Sequence, residues 1–121
     1  MKSNYTGIKR IIHAFGYSFN GIASAFKSES AFRQDIVLCI LAAIFQCFLD
    51  LPPIFRIIML TSLPFILIAE LINTAIETTI DRISPNKNPL SKKAKDIGSA
   101  IVMITIITVT ILWISLITIS I

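Results

Sequence analysis

The chain has 121 residues, of which 55% are hydrophobic and only 15% are charged, and its mean hydropathy is +0.80. This excludes an ordinary soluble domain, in which about a quarter of the residues are charged, and the length allows a single domain spanning residues 1–121. The formal charge of +4 does not indicate a nucleic-acid-binding protein, because the basic residues form two clusters, Lys2 to Arg33 and Arg82 to Lys95, with Arg56 apart.

The first predicted element is an amphipathic helix over about residues 6–28. Its polar side carries Lys and Arg, and its apolar residues recur at helical spacing: Ile8, Ile11, Ile12, Phe15, Phe19, Ile22 and Phe26. This pattern is typical of a helix that lies in the headgroup plane of a membrane, and the alternative is a helix that packs against a protein partner. No cleavable signal peptide is expected, since charges interrupt the first 35 residues.

Three further helices are predicted at about 30–50, 54–83 and 93–120, each long and apolar enough to cross a bilayer. Pro52 and Pro53 end the first of them, and Pro64 is expected to kink the second. Cys39 and Cys47 have no partners at metal-ligand spacing and are expected to pack in the bundle. The two basic clusters predict a cytoplasmic N-terminus and a cytoplasmic 82–95 loop.

A polar stripe runs along the second predicted span. Glu70, Asn73, Glu77 and Asp81 are separated by three, four and four residues, so they share one helical face. Ionisable groups inside a membrane are costly and usually functional. The alternative is a polar seam that only holds helices together.

Further polar residues are expected at the same membrane depth: Glu29, Arg33, Lys95, Asp96 and Ser99. Carboxylates, an amide and cations together suit phosphoryl transfer from a metal-bound nucleotide, because carboxylate oxygens bind Mg²⁺ and a partly desolvated Glu can accept a hydroxyl proton. General nucleotide-binding motifs are missing. Gly16 and Gly21 have P-loop spacing, but the required Lys-Ser or Lys-Thr does not follow.

These residues closely resemble the prokaryotic diacylglycerol kinase family. The resemblance covers almost the whole chain and includes Glu70-Leu-Ile-Asn73-Thr-Ala-Ile-Glu77, Asp81-Arg82, Ala94-Lys95-Asp96-Ile97-Gly98-Ser99-Ala100, Arg10-Ile-Ile, Gly16-Tyr17-Ser18, Glu29 and Ala31-Phe32-Arg33-Gln34. It implies an all-α integral membrane protein with an N-terminal surface helix and three transmembrane helices. It also implies a homotrimeric bundle with active sites shared between subunits, in the bacterial inner (cytoplasmic) membrane.

The resemblance implies an ATP-dependent diacylglycerol kinase that uses Mg²⁺ as cofactor and makes phosphatidic acid. Glu70 is expected to be the general base for the primary hydroxyl of the lipid, with Asn73 as the second catalytic residue, and Glu29 and Glu77 are expected to hold the metal. The expected nucleotide-binding residues are Arg10, Tyr17, Glu29, Glu77, Lys95 and Asp96. The expected lipid-binding residues are Arg10, Arg33, Glu70 and Ser99.

Alternatives are a related undecaprenol kinase, a small proton-coupled transporter built on Glu70, and a purely structural subunit. The segment Pro89-Leu90-Ser91-Lys92-Lys93-Ala94-Lys95 resembles the undecaprenol branch, whereas Arg33-Gln34 and Gly98-Ser99-Ala100 favour diacylglycerol. Asn20 and Ala23 stand where basic residues are frequent in the surface helix of the family. Only the kinase hypothesis predicts that Glu29 and Glu77 affect turnover in a Mg²⁺-dependent way.

Overall fold

The computed structural model describes residues 5–121, so Lys2 lies outside the described residues. Within that range the chain forms four α-helices and no strand: α1 (Gly7–Ser28), α2 (Ser30–Cys47), α3 (Pro53–Ile83) and α4 (Pro89–Ser120). The last three are long and apolar enough to cross a membrane. The predicted all-α membrane fold, with an N-terminal helix followed by three candidate spans, is confirmed.

Arg33 fixes the corner between α1 and α2. Its guanidinium donates hydrogen bonds to the carbonyl oxygens of Phe26 at 2.6 Å and of Lys27 at 3.1 Å. These carbonyls belong to the last turn of α1, where they have no partner within the helix. The side chain that opens the first span therefore also caps the preceding helix.

Arg56 has the same role at the opposite end of the bundle. Its guanidinium donates hydrogen bonds to the carbonyl oxygen of Gln46, at 2.6 Å, and to that of Leu49. α2 ends at Cys47, before the predicted end near residue 50, and Pro52 and Pro53 start α3. The one basic residue that belongs to neither cluster thus caps the end of α2 across the α2–α3 corner.

The fourth helix begins at Pro89, before the predicted start near residue 93. The Asn88 side chain accepts a hydrogen bond from the Leu90 backbone N–H at 2.8 Å, and Pro89 occupies the first helical position. Both features favour a helix start. Lys92, which lay before the predicted helix start, therefore stands with Lys95 on the first turns of α4.

The core lies between α2, α3 and α4, with α3 in the centre. α3 packs most extensively on α4, and also contacts α2 and α1. The core side chains are Cys39, Leu51, Met59, Leu63, Ile66, Val109 and Trp113. The Trp113 indole donates to the Ser62 hydroxyl at 2.9 Å, and that hydroxyl donates to the Met59 carbonyl at 2.5 Å.

Candidate functional site

The polar stripe lies on one continuous helix. α3 spans all four residues, and burial falls along it from Glu70, which is 7% exposed, through the half-buried Asn73 and Glu77 to the exposed Asp81. The Asn73 amide nitrogen donates a hydrogen bond to Glu77 Oε1 at 3.2 Å. The stripe thus leads from the buried interior to the end of α3.

Three other carboxylates surround Glu70. The Asp35 carboxyl on α2 lies close enough to the Glu70 carboxyl for the two groups to interact, and its Oδ2 atom is buried without a hydrogen-bond partner. Glu77 and Glu29 also lie within electrostatic range of Glu70. We call Glu29, Asp35, Glu70, Asn73 and Glu77 the acidic cluster.

Asp35 was not among the predicted site residues. A carboxylate in the first turns of an otherwise apolar span was a signal that could have found it, since such groups are costly in a membrane. Its contact with Glu70, however, depends on how α2 packs against α3.

A second group of charges joins the end of α3 to the start of α4. Lys95 Nζ lies 2.6 Å from Asp81 Oδ1, and Lys92 Nζ lies 2.6 Å from Asp96 Oδ2. Lys95 and Asp96 were both predicted to bind the nucleotide, and within the chain each forms an ion pair with another residue. Lys95 is also within electrostatic range of Glu77, so this group adjoins the acidic cluster.

A cleft of about 690 Å³ opens beside these ion pairs. It lies between the end of α3, the 84–88 connection and the first turns of α4, and its polar lining includes Asp81, Asn86, Asn88, Lys92, Lys95 and Asp96. The volume falls within the range of small-molecule sites. The lining offers both cations and hydrogen-bonding amides, which suit a phosphate-bearing ligand.

Within residues 5–121, no hydrogen bond or ion pair joins the side chains of the other predicted site residues to the acidic cluster. Arg10 and Tyr17 are exposed on α1, which packs on α2 and α3 but not on α4. Ser99 is exposed on α4. The Arg33 guanidinium is engaged with the carbonyls that end α1.

Residues 5–121 contain no group of three or more His, Cys, Asp or Glu side chains that could hold a metal ion by themselves. Mg²⁺ in nucleotide sites usually takes one or two carboxylates and completes its shell with phosphate oxygens and water. Glu29 and Glu77 each lie within electrostatic range of Glu70. Carboxylates of this kind suit an open, nucleotide-bound Mg²⁺ site and not a closed protein cage.

A membrane bundle with an acidic cluster and an adjoining cleft lined by paired lysines and aspartates suits a membrane-embedded phosphotransferase. Residues 16–117 match the family described as prokaryotic diacylglycerol kinase. The chain belongs to this family.

Similar proteins come from several bacteria. The chain is 44% identical over 113 residues to a diacylglycerol kinase of Escherichia coli strain K12, covering 93% of each chain. It is 43% identical over 108 residues to a diacylglycerol kinase of Pseudomonas aeruginosa, covering 89% of this chain and 88% of the relative. A diacylglycerol kinase of Helicobacter pylori strain 26695 is 34% identical over 107 residues, covering 88% of this chain and 84% of the relative.

The resemblance stated from the sequence is therefore confirmed. The chain is a kinase of a lipid kinase family, and its three apolar spans suit a multi-pass bacterial membrane protein. Family membership favours this class over a proton-coupled transporter.

Proposed function

We propose that this protein transfers the γ-phosphate of ATP to the primary hydroxyl of diacylglycerol, giving phosphatidic acid, with Glu70 as general base and Mg²⁺ as cofactor. The observation that supports this most is the position of Glu70. It is a buried carboxyl inside an acidic cluster, and that cluster adjoins a cleft lined by Lys92 and Lys95. The relatives named above are all diacylglycerol kinases.

In the proposed reaction Glu70 accepts the proton of the lipid hydroxyl. The hydroxyl oxygen forms a bond to the γ-phosphorus, and the bond between that phosphorus and the bridging oxygen of ADP breaks. Glu70 then passes its proton to water, and ADP and phosphatidic acid leave. A carboxylate shielded from bulk water suits this task, because it needs little solvent rearrangement to accept a proton.

Asn73 assists by holding the Glu77 carboxylate through its amide nitrogen. Glu29 and Glu77 would hold Mg²⁺, which neutralises phosphate charge when it is bound. Lys95 and Asp96 bind the nucleotide in the cleft, with Arg10 and Tyr17 contributing from α1. Arg10, Arg33, Glu70 and Ser99 face the lipid.

The lipid substrate can react without leaving the membrane. The hydroxyl of diacylglycerol sits near the headgroup plane while its acyl chains remain in the bilayer. The site at the α1–α2 corner and at the end of α3 would then lie at that plane, with the N-terminus and the 82–95 segment on the cytoplasmic side of the inner membrane. Only ATP has to approach from water.

A homotrimer with shared active sites completes the proposal. In the most apolar 18-residue stretch of α4, only 11% of the residues are buried within the chain, against 33% in the corresponding stretch of α3. Large helix faces are therefore left for neighbouring subunits. Arg10, Tyr17 and Ser99 are exposed, and within residues 5–121 none of their side chains forms a hydrogen bond or ion pair with the acidic cluster of its own chain. A neighbouring subunit can supply such side chains, and polar helix faces favour association in lipid.

The test is phosphoryl transfer by the purified protein in mixed micelles with Mg²⁺ and γ-labelled ATP. Diacylglycerol and undecaprenol are offered in parallel, and Glu70→Gln is run beside the wild type. The expected result is label in phosphatidic acid that is lost in Glu70→Gln, with unchanged helicity and detergent-micelle elution. Glu29→Gln and Glu77→Gln should also slow turnover and should be partly rescued by more Mg²⁺.

Label in undecaprenyl phosphate would keep the mechanism and change the substrate. A folded protein that labels neither lipid would refute the kinase proposal. Full activity in Glu70→Gln would refute the role of the general base.

A further inference from the structure

We propose that Gly98 is a positioning residue of this kinase: by having no side chain it lets α4 approach α3 closely enough to hold the Asn73 amide against Glu77. The catalytic consequence rests on the proposed function. The contact itself rests only on the packing of α3 against α4.

The close approach of α4 to α3 is seen where Gly98 meets the Asn73 side chain. Gly98 is buried at the α3–α4 contact, and a Cβ atom added there would lie 2.5 Å from Asn73 Oδ1 and 3.5 Å from Ile76 Cδ1. Real Cβ atoms essentially never come within 3.0 Å of another heavy atom in this way. Any side chain at residue 98 must therefore displace the Asn73 amide or push the two helices apart.

The amide of Asn73 has little freedom to give way. Its nitrogen donates to Glu77 Oε1 at 3.2 Å, and its oxygen is buried without a conventional donor. Turning the amide over would place its oxygen against the Glu77 carboxylate, so the hydrogen-bond network assigns its orientation. The oxygen then faces the Cα of Gly98, whose C–H groups can serve only as weak donors.

Displacing the amide has a defined consequence for the site. If Asn73 rotates away from residue 98, Glu77 loses its donor and can swing away from the position in which it would meet Mg²⁺. The defect should therefore appear as poorer use of Mg²⁺ and slower turnover, with little change in lipid affinity. A merely structural glycine would not produce this combination.

The other helical glycines lack this constraint. Nothing lies within 4 Å of a Cβ built at Gly21 in α1. Gly21→Ala makes the same chemical change in the same chain and serves as the matched control. It should leave turnover and the Mg²⁺ requirement unchanged.

The experiment compares wild type, Gly98→Ala, Gly21→Ala, Asn73→Ala and the Asn73→Ala/Gly98→Ala double variant, each as the full chain in mixed micelles. Gly98→Ala should lower kcat about tenfold or more and raise the Mg²⁺ concentration for half-maximal activity several-fold, with the KM for diacylglycerol little changed. The double variant should be no slower than Asn73→Ala, because the clashing amide is gone. Wild-type kcat and Mg²⁺ dependence in Gly98→Ala would overturn the proposal, as would a double variant slower than Asn73→Ala.

Thermal unfolding in the same detergent supplies a readout that does not depend on activity. Gly98→Ala should lower the unfolding temperature by roughly 5–10 °C, and removing the Asn73 amide should restore most of that loss. Equal destabilisation by Gly98→Ala with and without Asn73 would refute the contact, even in a preparation that phosphorylates no lipid. If the wild type phosphorylates no lipid but removing the Asn73 amide still restores the unfolding temperature of Gly98→Ala, only the proposed function is refuted.

Discussion

Asp81→Asn tests how the ion pair at the α3–α4 junction affects nucleotide binding. Asp81 holds Lys95 at 2.6 Å, and both side chains are partly exposed, at 64% and 41%. Lys95 must leave this partner if it is to contact a phosphate. Asn removes the competing charge while keeping size and polarity, so we expect the KM for Mg·ATP to fall.

The expected change in the KM for Mg·ATP is small because the Asp81–Lys95 pair is partly exposed. Water screens a pair in which both side chains are partly exposed, so the gain should be modest, about two- to fivefold in KM, with kcat little changed. It should disappear at about 1 M salt, where the Debye length falls to about 3 Å. A deeply buried pair would have given a larger and less salt-sensitive change.

The assay is initial-rate kinetics against Mg·ATP at saturating diacylglycerol, at low and at high salt. Asp50→Asn is the matched control, because Asp50 is an exposed carboxylate at the α2–α3 corner, at the other end of the bundle. It makes the same change in net charge far from the cleft and should leave the KM unchanged. A higher KM in Asp81→Asn would show that Asp81 positions Lys95 for the nucleotide and would refute the reasoning.

Three further predictions concern the contacts that hold the bundle. Arg56→Leu removes two charge-assisted hydrogen bonds that cap the end of α2. It should lower the free energy of unfolding, measured by denaturant titration in micelles, by about 2–4 kcal/mol. A loss near zero would show that water replaces these two hydrogen bonds. Trp113→Phe removes the hydrogen bond to Ser62 and should cost about 1 kcal/mol in the same titration, whereas an unchanged midpoint would mean that this bond adds no net stability. Arg33→Leu uncaps α1, so trypsin should cleave after Lys27 several-fold faster, and the KM for lipid should rise as well because the proposed function also places Arg33 at the lipid. Unchanged cleavage would show that the cap does not hold the end of α1.

Local spacing along the chain was enough to predict the type of fold. The length of each apolar run predicted three spans, and the 3.6-residue period predicted the amphipathic first helix and the shared face of Glu70, Asn73 and Glu77. These features depend only on neighbours within one helix. The family could also be predicted, because its motifs lie on those same helices.

The helix ends were less predictable, because they depend on single caps. The Asn88 side chain and Pro89 start α4 earlier than the basic segment suggested. Nothing in the sequence indicated that Arg33 and Arg56 cap a preceding helix, as both do in the fold.

By itself the sequence determined the helices, the spans and the polar stripe, since each follows from residues close together along the chain. Only the tertiary structure decided which groups meet across helices: Asp35 with Glu70, Lys95 with Asp81, and Gly98 against Asn73. Such pairs depend on the axial register and separation of two packed helices. That register is set by the fit of many side chains at once, which spacing within either helix does not encode.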